Sequence, residues 1–130
     1  MAQHPEGING LNGYFEWLPN VVVDQHEQGA LRPYYFSPGH PKRTHPFTPQ
    51  LNQDLTAEIS SYTAKALDRI GTTYYSKEGY DDFYYGKGAA YGDAHGSVCL
   101  LYEQGSTRGH LRNTPSGEWT FGWTDRKSVV

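Results

Sequence analysis

Two short apolar runs, in "VVVDQHEQG" and "SVCLLYEQG", do most to limit what this chain can fold into. Val21–Val23 and Val98–Leu101 are too short for helices, and each is apolar at every position rather than at alternate ones. Such runs describe strands covered on both faces, the habit of parallel or mixed sheets. Both pass directly into ionisable side chains: Asp24, His26 and Glu27 after the first, Glu103 after the second. Ligands of open α/β sheets bind beyond the carboxyl ends of the strands. The pattern therefore predicts two rigid mounts that bring Asp24, His26 and Glu103 to one pocket. Strand alternation turns Glu27 away from the side that His26 faces. Spacing alone also allows His26 an ordinary hydrogen-bonding role.

Between the runs lies the clearest helical pattern. Leu51, Leu55, Ile59, Tyr62, Ala66 and Ile70 recur at spacings of four and three, which predicts one apolar stripe facing a core. Thr48 is placed to cap the start with Pro49 at the first helical position, and Gly71 to close the end. Residues 29–48, rich in proline and aromatic side chains, read as a long ordered loop. Residues 72–96, dense in Tyr and Gly, hold neither a helical nor a strand period and also read as loop. In "GEWTFGWT", Trp119, Phe121 and Trp123 alternate as on a half-buried final strand. No internal repeat or domain boundary is visible. Strand, loop, helix, loop, strand is an α/β order.

Composition narrows the function. The 130 residues fit one domain, and the net charge of −3 has Lys and Arg scattered singly. Without a basic stripe, the 11 tyrosines do not make a nucleic-acid surface. No apolar run approaches the length of a membrane span, so no membrane partner is expected. The start, "MAQHPEGINGLNG", lacks both the basic and the apolar segment of a signal peptide; it is odd for a complete domain and reads as a boundary inside a longer protein. A lone cysteine, Cys99, excludes a disulfide framework and a thiolate zinc cluster, and reads as a small core residue.

The stretches "VVVDQHEQG", "YYFSPG" and "DDFYYGKGAAYGDAHGSVCLLYEQGSTRGHLR" resemble the second half of the catalytic domain of zinc carboxypeptidases of the carboxypeptidase A type, nearest their bacterial branch. The likeness runs over roughly residues 18–112 and rests on the order and spacing of several motifs together. It implies a mixed, mostly parallel sheet with flanking helices, zinc as cofactor, and hydrolysis of a peptide substrate. In that family two His and one Glu hold the metal. His26 matches the last of these ligands in sequence order, and Glu103 matches the acid–base group. Tyr84 matches the mobile tyrosine over bound substrate if the spacing to Gly88 sets the register, and Tyr85 if it does not. The resemblance gives Asp24 a supporting position beside His26, against a simple strand-end cap. Arg108 reads as a contact to a substrate carboxylate or as a solvated loop charge.

The same resemblance exposes what is missing. No His-x-x-Glu, the source of the family's other two ligands, occurs at any of the six histidines. His4, His40, His45, His95 and His110 match no ligand position, and an Asn-Arg pair upstream of His26 is lacking. The tail after about residue 121 departs from the family's usual ending. The expectation is a single partial domain over 1–130, the carboxyl-terminal half of a catalytic domain, holding half a zinc site and inactive alone. Unpaired strand edges would then favour self-association or an upstream half as partner. Three other readings share these residues: an amidohydrolase of N-acyl amino acids on the same scaffold, a non-catalytic module whose Tyr-rich loops bind a peptide or sugar, and a fragment without activity of its own.

Overall fold

The computed structural model describes residues 3–29, 32–105, 112–113 and 119–120. Along the chain run α1 (Pro5–Trp17), β1 (Val21–Gln28), β2 (Tyr34–Phe36), α2 (Gln50–Ile70), β3 (Tyr74–Tyr75), α3 (Gly88–Tyr91), β4 (Val98–Gly105), β5 (Arg112–Asn113) and β6 (Trp119–Thr120). Short 3₁₀ turns cover Pro41–Arg43 and Gly92–Ala94. The class is α/β, built on a four-stranded mixed sheet in the order β1-β4-β2-β3. β1 runs parallel to β4 and β2 parallel to β3, while β2 and β4 are antiparallel. β5 and β6 pair with each other in a separate two-stranded ribbon.

β4 is the centre of the molecule. Val98, Cys99, Leu100, Leu101, Glu103 and Gly105 are all buried, because strands flank it on both edges and other elements cover both faces. On one face Leu101 joins Tyr35 and Ala89 in a small core backed by Tyr75 and Tyr80. On the other, α2 crosses Tyr102 through a Thr63–Tyr102 hydroxyl contact of 3.3 Å.

The structure corrects several readings of the sequence. β1 is not covered on both faces: Val21 and Val23 are 45% and 47% exposed, because β1 ends the sheet and no described element packs over that side. Nor does β1 stop at its ionisable residues; it runs through Asp24, His26 and Glu27 to Gln28. The strand carrying Glu103 likewise continues to Gly105, so the acid lies within the ladder rather than at its mouth.

The helix itself is where expected, but its orientation is not. Leu51, Tyr62 and Ile70 are more than half exposed, and the buried residues are Asn52, Thr56, Ser60 and Leu67. These form a second stripe of the same period, one residue further round. Small polar side chains win that face because they satisfy backbone groups as they pack. Asn52 Nδ2 donates to Asp93 Oδ1 and to the Ser97 carbonyl, each at 2.8 Å, and Ser60 Oγ donates to the Ser37 carbonyl. At the helix start Pro49 occupies the cap and no side chain bonds there, so Thr48 is not the cap. Gly71 closes the end as expected, with φ 69°.

Both stretches read as loop contain regular structure. Residues 29–48 hold β2 and a 3₁₀ turn; residues 72–96 hold β3, α3 and a second turn. These elements are two to four residues long, too short for any period to register. The glycine-rich start forms α1, opened by Pro5 in the first turn. It is held by Tyr14, whose hydroxyl lies 2.7 Å from Ser97 Oγ and whose ring meets that of Tyr91 edge-on. Among the described residues no helix is long and apolar enough to cross a membrane. Phe121 and Trp123, expected on a final strand, lie outside the described residues.

Candidate functional site

The β1–β4 ladder sets the site. Its register pairs Asp24 with Leu101 and His26 with Glu103. Partners in neighbouring strands share a face, about 4.8 Å apart along the hydrogen-bonding direction. Asp24, His26 and Gln28 therefore stand on the same side as Leu101 and Glu103, and α3 approaches that side. Asp24, His26, Leu101 and Glu103, with Tyr80, Asp81, Lys87, Gly88 and Ala89, line a cavity of about 570 Å³.

Glu103 forms the floor of the cavity and is 7% exposed. Burial pushes its carboxyl above the ordinary glutamate range, and the Asp24 charge adds to the push. His26 and the Tyr80 hydroxyl work the other way by favouring the carboxylate. Burial also raises the Tyr80 phenol, with Glu103 next in effect. His26 is half exposed at the rim, and its Nε2 lies 2.8 Å from Asp24 Oδ1. That contact leaves Nδ1 as the second ring nitrogen. Asp24 is crowded from the other side by α3, since a Cβ on Gly88 would meet Asp24 Oδ2 at 2.7 Å. Glycine is needed there for close approach rather than for a special backbone angle.

Gln28, two residues after His26, ties the rim together. Its Nε2 donates to the carbonyls of Pro33 (2.7 Å) and Glu103 (3.1 Å), and its Oε1 accepts from Tyr75 at 2.6 Å and Tyr80 at 3.4 Å. Across the opening, Lys87 Nζ lies 2.7 Å from Asp81 Oδ2, and this bond holds the Asp81 carboxyl below its usual range.

Of the residues singled out in the sequence, the fold brings together His26, Asp24 and Glu103. Tyr84 and Tyr85 do not line this cavity. They line a larger neighbouring groove of about 840 Å³ against α1, with Leu11, Tyr14 and Tyr91. Tyr84 is exposed, and the Tyr85 hydroxyl contacts Thr48 Oγ1 at 3.1 Å. Lys87 and Gly88 border both spaces and join them. Glu27 is exposed, as its position on the alternate face requires. Arg108 lies outside the described residues. Sequence reasoning passed over Gln28, Tyr80 and Lys87, and used Gly88 only as a spacing marker for Tyr84. Only Gln28 was signalled, by the same alternation that places His26.

The residues present do not by themselves fit a zinc ion. A structural or catalytic site takes at least three protein ligands, and among the described residues no three His, Cys, Asp or Glu side chains are grouped to hold a metal. Among the described residues, His26 is the lone imidazole lining this cavity. No protein-family model, curated protein or solved structure matches the chain.

Proposed function

We propose that this chain carries the carboxyl-terminal half of a zinc-carboxypeptidase-like active centre, in a protein that hydrolyses peptide or amide bonds. One observation carries the reading: His26 and Glu103, remote in sequence, are register partners on adjacent parallel strands and share a cavity with Asp24. Glu103 is the proton-transfer group. A buried carboxyl with a raised affinity for protons accepts one from an attacking water and returns it to the leaving amine more readily than an ordinary glutamate at neutral pH. Asp24 fixes the His26 ring through Nε2. The metal implied by the sequence resemblance would draw one imidazole from this chain and its other donors from outside the described residues. The isolated chain is then inactive.

The test uses the longest gene product that contains this chain. Peptide hydrolysis is followed with and without a zinc chelator, for the wild type and for Glu103→Gln. The proposal expects chelator-sensitive turnover that falls about 10²–10⁴-fold in the variant. Turnover indifferent to both rejects it. A second reading, a peptide- or sugar-binding module, draws on the tyrosine-lined groove beside α1. It expects ligand binding that survives Glu103→Gln and is lost in Tyr84→Ala with Tyr91→Ala.

A further inference from the structure

β1 is an eight-residue strand whose outer edge is paired by no other described strand. Among the described residues it pairs with β4 alone, and most of its side chains are exposed. The backbone amide of Val98 donates to the Asn20 carbonyl, which fixes the phase of the parallel ladder. Even-numbered residues of β1 bond to β4, and the amides and carbonyls of Val21, Val23, Gln25 and Glu27 point outward. A long unpaired edge of this kind is a template for another strand.

We infer that this edge pairs with the same edge of a second copy of the chain, antiparallel and with the two-fold axis at Gln25. The side chains select that arrangement. Centred on Gln25, it sets Val23 against the second copy's Glu27 and Asp24 against the second copy's His26. Both outward amides of the Gln25 pair are satisfied, which makes this a hydrogen-bonded pair. The Asp24–His26 positions then fall on non-hydrogen-bonded pairs, where Cα atoms approach to about 4.5 Å and side chains lie closest. Each Asp24, already beside its own His26, gains a second imidazole, and the symmetry makes this contact twice. Parallel in-register pairing would instead oppose Asp24 to Asp24 and Glu27 to Glu27, with like charges facing. The two-fold axis stands perpendicular to the sheet, so both Glu103 cavities open on the same side of one eight-stranded sheet. The inference does not use the chemistry assigned to Glu103.

Sedimentation equilibrium on the full chain tests it. The expected result is a concentration-dependent dimer of twice 14.7 kDa. Gln25→Pro removes an outward amide that β4 does not use, and Val23→Lys places a charge at the edge. Both are expected to return the chain to monomer mass with an unchanged circular dichroism spectrum. Register is read by cysteine cross-linking. Gln25→Cys, on the axis, is expected to form a covalent dimer on mild oxidation, since hydrogen-bonded pairs lie about 5.5 Å apart at Cα, within disulfide range. Glu27→Cys, whose opposite number is Val23, is not. A chain that stays monomeric at every concentration overturns the inference. So does a dimer that persists in both edge variants, pairing of β1 with a strand from a longer polypeptide in place of the second copy, or cross-linking of Glu27→Cys as readily as Gln25→Cys.

Discussion

β4 and β1 lie side by side in one parallel ladder, yet they live in different surroundings. β4 has strands on both edges and cover on both faces, and its acid, Glu103, is buried with it. Among the described residues β1 has one neighbouring strand, and its imidazole stands half in solvent. The difference separates two tasks. The buried strand supplies a carboxyl whose proton affinity is raised by desolvation. The open strand supplies a ring that external groups can reach. A site built across such a boundary has one finished wall and one wall open to whatever completes it.

The comparison breaks most visibly in the core. Leu101→Ala, under Tyr35 and Ala89, is expected to cost about 2–5 kcal/mol in chemical denaturation. A cost near zero would deny β4 its central place. Tyr35→Phe runs the other way. Among the described residues the buried Tyr35 hydroxyl has no hydrogen-bond partner, and removing an unsatisfied buried polar group is expected to raise stability by about 1 kcal/mol. A loss of that size would reveal a partner for the hydroxyl.

Glu103→Gln sharpens the contrast through pH. Burial raises the folded-state pKa of Glu103 above its unfolded value, so the native state binds this proton more tightly than the unfolded chain. The group's contribution to stability is therefore full below the unfolded pKa and is lost as pH rises through the folded one. The glutamine variant, which never ionises, should melt above the wild type at neutral pH, with the gap closing in acid. A gap that widens in acid would reverse the sign. The smallest effect belongs to β1. Val23→Thr, at a dilution that leaves the chain monomeric, is expected to change stability by less than about 0.5 kcal/mol.

Much of this architecture was legible in particular residues. Continuous apolar runs announced β1 and β4, and the ionisable residues that follow announced Asp24, His26 and Glu103. The limits of α2 were close to what its periodic pattern, Pro49 and Gly71 suggested. Its buried face was not, because Asn52 and Ser60 earn their burial by bonding to Asp93 and to backbone carbonyls distant in sequence. Apolarity alone therefore favoured the neighbouring stripe. α1 was hidden by Gly7, Gly10 and Gly13, which weaken helical propensity, and is anchored by the tertiary contacts of Tyr14. Tyr80, Lys87 and Gly88 reach the site through the path of the 76–88 segment, which no local period encodes.

The claim underneath all of this is that His26 and Glu103 face one another across the β1–β4 ladder. A carbon-13 NMR titration of the Glu103 carboxyl, in the wild type and in His26→Ala, measures it. The account predicts protonation above the ordinary glutamate range in the wild type and a further rise in the variant, because the imidazolium that favoured the carboxylate is gone. A Glu103 that titrates like a free glutamate and is unmoved by His26→Ala would contradict it.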